Sequence, residues 1–218
     1  MIAIIPVAGS GTRLRPLTHS KPKALLHVGS KPILAHIMDT LIPLGCDSFI
    51  FIISREGANI PAFISARYPD VNVESVVQEE QLGLGHAVSL ARDKAGDDEL
   101  VIMYGDTILD GDFGDILTTK HDGIIAVKEV DDPRRFGVVN TEDGIITKFV
   151  EKPSEPQSNL AIVGFNYIKD SAALFDALDE IIEKDVKTKG EYQSTDAFQV
   201  MVEKGLRLKP FAIRGWFD

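Results

Sequence analysis

Two hydrophobic patterns alternate along the first half of the chain. Short apolar runs predict strands at residues 2–8, 48–54, 72–78 and 99–105. Between them, apolar residues recur every three or four positions and predict helices at 31–44, 58–67 and 84–95. Two of the runs are almost continuously apolar, which is typical of strands covered on both faces. This alternation predicts a parallel sheet with crossover helices.

The second half has a less regular pattern. It predicts strands at 123–130, 137–141, 145–151, 161–168 and 206–213, and helices at 172–182 and 195–204. Asp143 and Gly144 separate two of these strands, and this dipeptide favours a hairpin turn. We expect Ser194 or Thr195 to be the N-cap of the last helix. The predicted fold is therefore α/β: a doubly wound, Rossmann-like, mostly parallel sheet with a late antiparallel elaboration.

Length and composition indicate one globular domain. The chain has 218 residues, of which 44% are hydrophobic and 26% charged. Cys46 is the only cysteine, which excludes a disulfide framework and a Cys-rich zinc site. The apolar runs are shorter than the ~20 residues of a membrane span, and the N-terminus lacks the basic stretch of a signal peptide. We expect a cytoplasmic protein without a membrane partner.

The charge is distributed unevenly along the chain. Lys and Arg number 23 against 33 Asp and Glu, a net charge of −10, which disfavours nucleic acid as a partner. Residues 1–38 nevertheless contain five cations and no acidic residue. These cations are Arg13, Arg15, Lys21, Lys23 and Lys31. Such a basic segment in an acidic protein can attract a compact polyanion, and phosphates are the obvious class.

A glycine-rich segment, Gly9-Ser10-Gly11, follows the first predicted strand. Backbone N–H groups in such a loop can form a nest for phosphate oxygens. The segment does not match a Walker A loop. It matches the first two glycines of the dinucleotide-binding pattern but has Leu14 at the third, and no acidic residue ends the second strand. A tight turn is the structural alternative, and the basic cluster that follows favours a phosphate loop.

Several segments, taken in order, carry a resemblance to a known family. They are Gly9 to Thr18, Lys21 to Leu26, Lys31-Pro32, Gln78, Gly105-Asp106, Phe136 to Val138, Glu151 to Pro153 and Gly215 to Asp218. In these segments the chain resembles the sugar-1-phosphate nucleotidyltransferases, also called nucleotide-sugar pyrophosphorylases. Glucose-1-phosphate thymidylyltransferase and UTP–glucose-1-phosphate uridylyltransferase typify the family.

The resemblance implies a reaction and its cofactor. A sugar 1-phosphate, glucose 1-phosphate by preference, would attack the α-phosphorus of dTTP or UTP in line and release pyrophosphate, with Mg²⁺ as cofactor. A phosphate monoester has its second pKa near ~6, so the nucleophile is already ionised at neutral pH and needs no general base. The five histidines accordingly show no nucleophile–base or metal-ligand spacing.

The resemblance also assigns residues to the site. Arg13 and Lys23 would be the catalytic cations, with Lys21 as the rival for the lysine role, and Asp106 and Asp218 would hold the metal. The nucleotide contacts would be Ala8, Gly9, Gly11, Thr12, Arg13, Gln78 and Gly83. The sugar-phosphate contacts would be Gly137, Glu151, Lys152, Asn159, Gly164 and Thr195.

These assignments divide the single domain into a nucleotide-binding half of about 1–121 and a sugar-phosphate half of about 122–218. The choice between thymine and uracil is open, as is assembly into a homo-oligomer. A mannose-1-phosphate guanylyltransferase and a non-catalytic subunit that senses nucleotide sugars are the alternatives. Family members continue past the position of Asp218, so we expect a further C-terminal segment in a longer native chain.

Overall fold

The computed structural model describes residues 1–9, 11–19, 21–111 and 113–217, and of Arg13 the backbone only. The strands in this part of the chain are β1 Ile2–Pro6, β2 His27–Val28, β3 Lys31–Pro32, β4 Ser48–Ile53, β5 Asn72–Val77, β6 Leu100–Met103, β7 Ile108–Asp110, β8 Gly123–Glu129, β9 Gly137–Glu142, β10 Ile145–Glu151, β11 Leu160–Ile168, β12 Leu208–Ala212 and β13 Gly215–Phe217. The α-helices are α1 Ile33–Leu41, α2 Ile60–Arg67, α3 Leu84–Ser89, α4 Arg92–Ala95, α5 Ser171–Glu183 and α6 Ser194–Glu203. None of these helices is both long and apolar enough to cross a membrane.

One large sheet organises the molecule. Its parallel part has the order β5-β4-β1-β6, as the predicted alternation of strands and helices requires. Strand β11 then pairs antiparallel with β6, and β8 pairs antiparallel with β11. Strand β12 joins the sheet parallel to β8, and the β9–β10 hairpin joins at the start of β11. The α/β prediction with a late antiparallel elaboration is confirmed.

Each face of the sheet is covered by helices. Alternate residues of one strand point to opposite faces, so Leu100 and Ile102 pack with α3, α5 and α6, whereas Val101 and Met103 pack with α1 and α2. All four side chains are fully buried. Burying an aliphatic side chain of this size contributes roughly 1.5–3 kcal/mol, and the two-sided burial explains the nearly continuous apolar runs.

Prolines shorten the helix predicted at 31–44. Residues 31 and 32 form strand β3, because a residue before proline disfavours the helical region and Pro32 itself is extended. The α-helix ends at Leu41, and residues Ile42–Leu44 form a 3₁₀ turn. Pro43 lies in that turn and lacks the N–H that an α-helical bond would need. The predicted bounds were therefore wrong at both ends.

Two further predictions concern turns and caps. Asp143 and Gly144 both have positive φ and connect β9 to β10, so the hairpin prediction is confirmed. The N-cap of α6 is Gln193, and the prediction of Ser194 or Thr195 was wrong. Both of those hydroxyls instead bond to residues of other elements: Ser194 to Tyr104 and Thr195 to Glu151.

Candidate active site

A cleft of about 540 Å³ opens at the carboxyl ends of the parallel strands, where open α/β sheets bind ligands. We call it the first cleft. Its described lining residues are Pro6, Val7, Ala8, Gly9, Gly11, Thr12, Leu14, Lys23, Ala24, Gln78, Gln81, Gly83, Leu84, Ala87, Tyr104, Gly105, Asp106 and Glu191. Every predicted nucleotide contact lines it except Arg13, whose side chain lies outside the described part of the chain.

Hydrogen bonds to its backbone carbonyls hold the loop after β1 in place. Gly11 has φ +57°, a left-handed conformation that favours glycine, and its carbonyl accepts from Thr18 Oγ1 at 2.8 Å and from Leu14 N at 2.9 Å. Gln81 Nε2 donates to the carbonyl of Ala8 at 2.8 Å from across the cleft. These three hydrogen bonds fix the backbone of Ala8 and Gly11 beside the cleft, as a phosphate loop requires.

Lys23 lines the first cleft. It begins the 3₁₀ turn Lys23–Leu25, which is anchored by the buried side chains of Ala24 and Leu25. Lys23 Nζ lies 2.8 Å from Asp106 Oδ2, in an ion pair that links the basic segment to the end of β6. The side chain of Lys21, its rival in the sequence, is exposed and is not among the lining residues.

Gln78 is buried where β5 ends, at 6% exposure. Its Nε2 donates to the carbonyl of Gly83 at 3.3 Å and lies 3.0 Å from His86 Nδ1. Because a carbonyl can only accept, the contact with Gly83 fixes which end of the amide is nitrogen. Burial lowers the pKa of His86 below its usual 6.5, so the ring is neutral at pH 7 and Nδ1 can accept from the amide. In the described part of the chain no donor reaches Oε1 of Gln78, which leaves it available to a ligand.

The loop that carries Gly83 packs against a second loop from the far half of the chain. Gly83 has φ +119°, and a Cβ there would lie 2.5 Å from the carbonyl oxygen of Tyr192. Tyr192 N donates to the carbonyl of Leu82 at 2.9 Å, and Gly85 N donates to the carbonyl of Tyr192 at 2.8 Å. This close backbone contact sets the position of α3 at the cleft.

A second cleft, of about 630 Å³, adjoins the first. Its described lining residues are Leu84, Tyr104, Asp106, Thr107, Arg134, Arg135, Phe136, Gly137, Glu151, Lys152, Ile162, Val163, Glu191, Gln193, Ser194, Thr195 and Trp216. Four residues line both clefts: Leu84, Tyr104, Asp106 and Glu191. Asp106, and with it the ion pair to Lys23, therefore lies at the junction.

Four of the predicted sugar-phosphate contacts meet in the second cleft. The carboxylate of Glu151 accepts from Thr195 Oγ1 at 3.1 Å and pairs with Lys152 Nζ at 3.0 Å. Gly137 lies directly opposite, so close that a Cβ there would be 2.9 Å from Glu151 Oε2. These contacts hold a carboxylate with spare lone pairs against open space, where it can accept from hydroxyl groups.

The other two predicted sugar contacts lie elsewhere. Gly164 is packed behind the ring of Tyr104, where a Cβ would lie 2.6 Å from a ring carbon. Asn159 is exposed at the start of β11, and its carbonyl accepts from Val130 N at 3.0 Å. Neither is among the described residues that line the clefts. Gly164 contributes indirectly, because it allows Tyr104 to sit between them.

The predicted metal ligands are only partly described. Asp106 Oδ2 is engaged by Lys23, and no donor from the described residues reaches Oδ1, so this hard oxygen is available to a cation. Asp218 lies outside the described residues. Strand β13 ends at Phe217, which pairs with Ile108 two positions after Asp106. The described residues contain no cluster of three potential metal-ligating side chains.

Sequence reasoning missed several lining residues. Tyr104 directly precedes Gly105 and Asp106, and burial raises the pKa of its hydroxyl to about 12, so it stays neutral. Glu191 lies between α5 and α6, next to Tyr192 at the contact with the Gly83 loop. The signal for Tyr104 was its proximity to Gly105 and Asp106, and no pattern in the sequence pointed to Glu191.

The chain is similar in sequence to known proteins over nearly its whole length. The family model described as Nucleotidyl transferase matches residues 2–218. The chain is 34% identical to the nucleotidyltransferase Agl11 of low-salt glycan biosynthesis in Haloferax volcanii, over all of this chain and 61% of that protein. It is also 34% identical to AglF, a UTP–glucose-1-phosphate uridylyltransferase from the same organism, over 99% of this chain and 89% of that one.

A solved structure agrees with these sequence similarities. A Bacillus anthracis protein assigned as a glucose-1-phosphate thymidylyltransferase, crystallised with sucrose, superposes with a TM-score of 0.85 at 28% identity, covering all of this chain and 89% of that one. The predicted family and fold class are confirmed. The chain belongs to the nucleotidyl transferase family of enzymes, among the sugar-1-phosphate nucleotidyltransferases.

Proposed function

We propose that the protein transfers a nucleotidyl group from dTTP or UTP to glucose 1-phosphate, giving a nucleotide sugar and pyrophosphate. The observation that carries the proposal is the meeting of two clefts at the Lys23–Asp106 pair. One cleft has a backbone loop suited to phosphates and the other a carboxylate suited to hydroxyls. The names of AglF and of the Bacillus anthracis protein agree with this choice of substrates.

The buried amide of Gln78 supports a uracil or thymine base. Its free Oε1 is an acceptor, since Nε2 is already committed to Gly83. Uracil and thymine present an N3–H donor to such an acceptor, whereas cytosine and adenine present an unprotonated ring nitrogen at that edge. Guanine also offers a ring N–H, which keeps GTP in the test as the competing substrate.

Catalysis would rest on positioning and charge. The phosphate of the sugar is its own nucleophile, so the chain must bring two polyanions together and stabilise the charge that develops. Lys23 is placed to bridge phosphate oxygens at the junction, and the predicted role of Arg13 belongs to the same loop. Mg²⁺, held by Asp106 and by the expected ligand Asp218, would supply further neutralisation of phosphate charge.

The test is pyrophosphate release in the presence of Mg²⁺. Each of dTTP, UTP, GTP, CTP and ATP is combined with the 1-phosphates of glucose, galactose, mannose and N-acetylglucosamine. Turnover confined to dTTP or UTP with glucose 1-phosphate supports the proposal. Turnover of GTP with mannose 1-phosphate replaces it with a guanylyltransferase, and binding of nucleotide sugars without turnover replaces it with a sensor.

A further inference from the structure

The second cleft is bordered by equal numbers of positive and negative side chains. The cations are Arg134, Arg135 and Lys152, and the carboxylates are Asp106, Glu151 and Glu191. A cation whose charge is not offset by a protein carboxylate is the one best placed to bind a substrate phosphate here. The three cations differ in how they are paired.

Two of the three have a carboxylate partner. Arg134 forms a bidentate pair with Asp132, with Nε 2.8 Å from Oδ1 and Nη2 2.8 Å from Oδ2. This pairing lowers the pKa of Asp132 to about 2. Lys152 Nζ lies 3.0 Å from Glu151 Oε1. Both cations are therefore partly neutralised by the protein.

Arg135 is different. Its guanidinium is exposed, and within the described ranges no carboxylate lies within 4 Å of it. It influences Asp132 only at longer range, as the smallest of the effects that lower the pKa of that group.

The backbone on both sides of Arg135 is fixed. The 3₁₀ turn Pro133–Arg135 is capped by Asp132, which accepts from Arg134 N. On the other side, Phe136 accepts from Lys152 N at 3.0 Å and packs edge-on against Trp216, with ring centroids 4.8 Å apart. Arg135 is thus held at the rim of the second cleft, with no carboxylate partner among the residues that the structure describes.

We infer that Arg135 binds the phosphate of the sugar 1-phosphate, an inference that rests on the proposed function. A guanidinium matches two phosphate oxygens with two parallel N–H donors, which a lysine cannot do. Arg135 borders the second cleft and not the first, so it meets the sugar phosphate rather than the triphosphate. No sequence motif had indicated this residue.

The test compares three variants in steady-state kinetics. Arg135→Gln removes the guanidinium, whereas Arg135→Lys keeps the positive charge but lacks the two parallel N–H donors. Lys148→Gln is the control, because it removes one charge from an exposed residue of β10 that lines neither cleft. We expect Arg135→Gln to raise KM for glucose 1-phosphate about ten- to a hundredfold, the usual worth of a hydrogen bond to a charged group. In Arg135→Gln the KM for the triphosphate should stay at the wild-type value. For glucose 1-phosphate, the KM of Arg135→Lys should be intermediate and that of Lys148→Gln should match the wild type.

Several outcomes overturn the inference. An unchanged KM for glucose 1-phosphate in Arg135→Gln overturns it. A rise in the KM of this variant for the triphosphate, or for pyrophosphate in the reverse reaction, also overturns it. If the wild type turns over no substrate pair, the proposed function fails separately, and calorimetric titration with glucose 1-phosphate decides the inference. Binding at least tenfold weaker in Arg135→Gln supports it, whereas equal binding or none in the wild type overturns it.

Discussion

At the scale of single residues, the ion pair between Lys23 and Asp106 has more consequence for chemistry than for stability. The two side chains are 27% and 39% exposed, and ion pairs in contact with water contribute little to the free energy of folding. Their position is what distinguishes them, because the pair lies where the two clefts meet. Removing either member should therefore affect turnover while leaving the fold intact.

Replacement of Lys23 tests the cation. We expect Lys23→Ala to lower kcat by about 10²–10³-fold, as loss of one preorganised charge-stabilising donor does, with KM values little changed. Lys21→Ala is the matched control, since Lys21 is an exposed lysine two positions away that lines neither cleft. Rates of pyrophosphate release measure both. A near-normal kcat for Lys23→Ala, or an equal loss in Lys21→Ala, contradicts the assignment.

Replacement of Asp106 tests the metal ligand. Asp106→Asn keeps the size of the side chain but removes the anionic oxygens that Mg²⁺ prefers, so the Mg²⁺ concentration for half-maximal rate should rise sharply. Asp110→Asn provides the control, because Asp110 is an exposed carboxylate on β7 that lines neither cleft. The rate of each variant is measured as a function of Mg²⁺ concentration. If the curve for Asp106→Asn coincides with that of the control, Asp106 holds no metal.

At the scale of elements, the sequence predicts what depends on local pattern. The parallel strands β1, β4 and β6 were predictable because their apolar runs are buried on both faces. The short strands β7 and β13 were not, because each has only three residues and is defined by its pairing with the other, a hundred residues away. The prediction of one helix at 84–95 was also wrong, because this segment is divided into α3 and α4.

The site residues also divide into those that a local sequence pattern predicts and those that tertiary contacts bring to the clefts. Gln78 and Asp106 were predictable because each follows a predicted strand, and carboxyl ends of parallel strands share one edge of the sheet. Glu191 and Arg135 were not, because each comes from a connecting segment whose approach is set by tertiary contacts. A loop's hydrophobic pattern carries no information about which cleft the loop reaches.

The contact between the Gly83 loop and Tyr192 yields a prediction on stability. A Cβ at position 83 would be strained by φ +119° and would also lie 2.5 Å from a backbone oxygen. Gly144→Ala is the matched control, since Gly144 has φ +75° and open space around it. We expect the control to lose about 1–2 kcal/mol of unfolding free energy from backbone strain alone. Gly83→Ala should lose more and should also raise KM for the triphosphate.

Urea denaturation measures the two losses on one scale. Equal losses in the two variants would mean that the Gly83 loop shifts freely away from Tyr192. The packing of that loop would then not be what positions α3 at the first cleft.

At the scale of the whole molecule, the two predicted halves share one sheet. Strand β11 belongs to the second half but is hydrogen-bonded to β6 of the first half, from Phe165 opposite Met103 to Ile168 opposite Leu100. All four residues of β6 are buried in the intact sheet. Without the second half, one edge of this apolar strand would be unpaired and exposed to water. We propose that the division near residue 121 is one of ligand binding and not of folding.

This proposal predicts a single cooperative unfolding transition. Trp216 is the only tryptophan and lies in the second half against Phe136, so its fluorescence reports on that half. Far-UV circular dichroism reports on helices and strands of both halves. If the shared sheet makes the molecule one cooperative unit, the urea curves from the two probes should coincide, with one midpoint and one slope. A fluorescence transition that precedes the loss of secondary structure would mean that the two halves unfold separately despite the β6–β11 pairing.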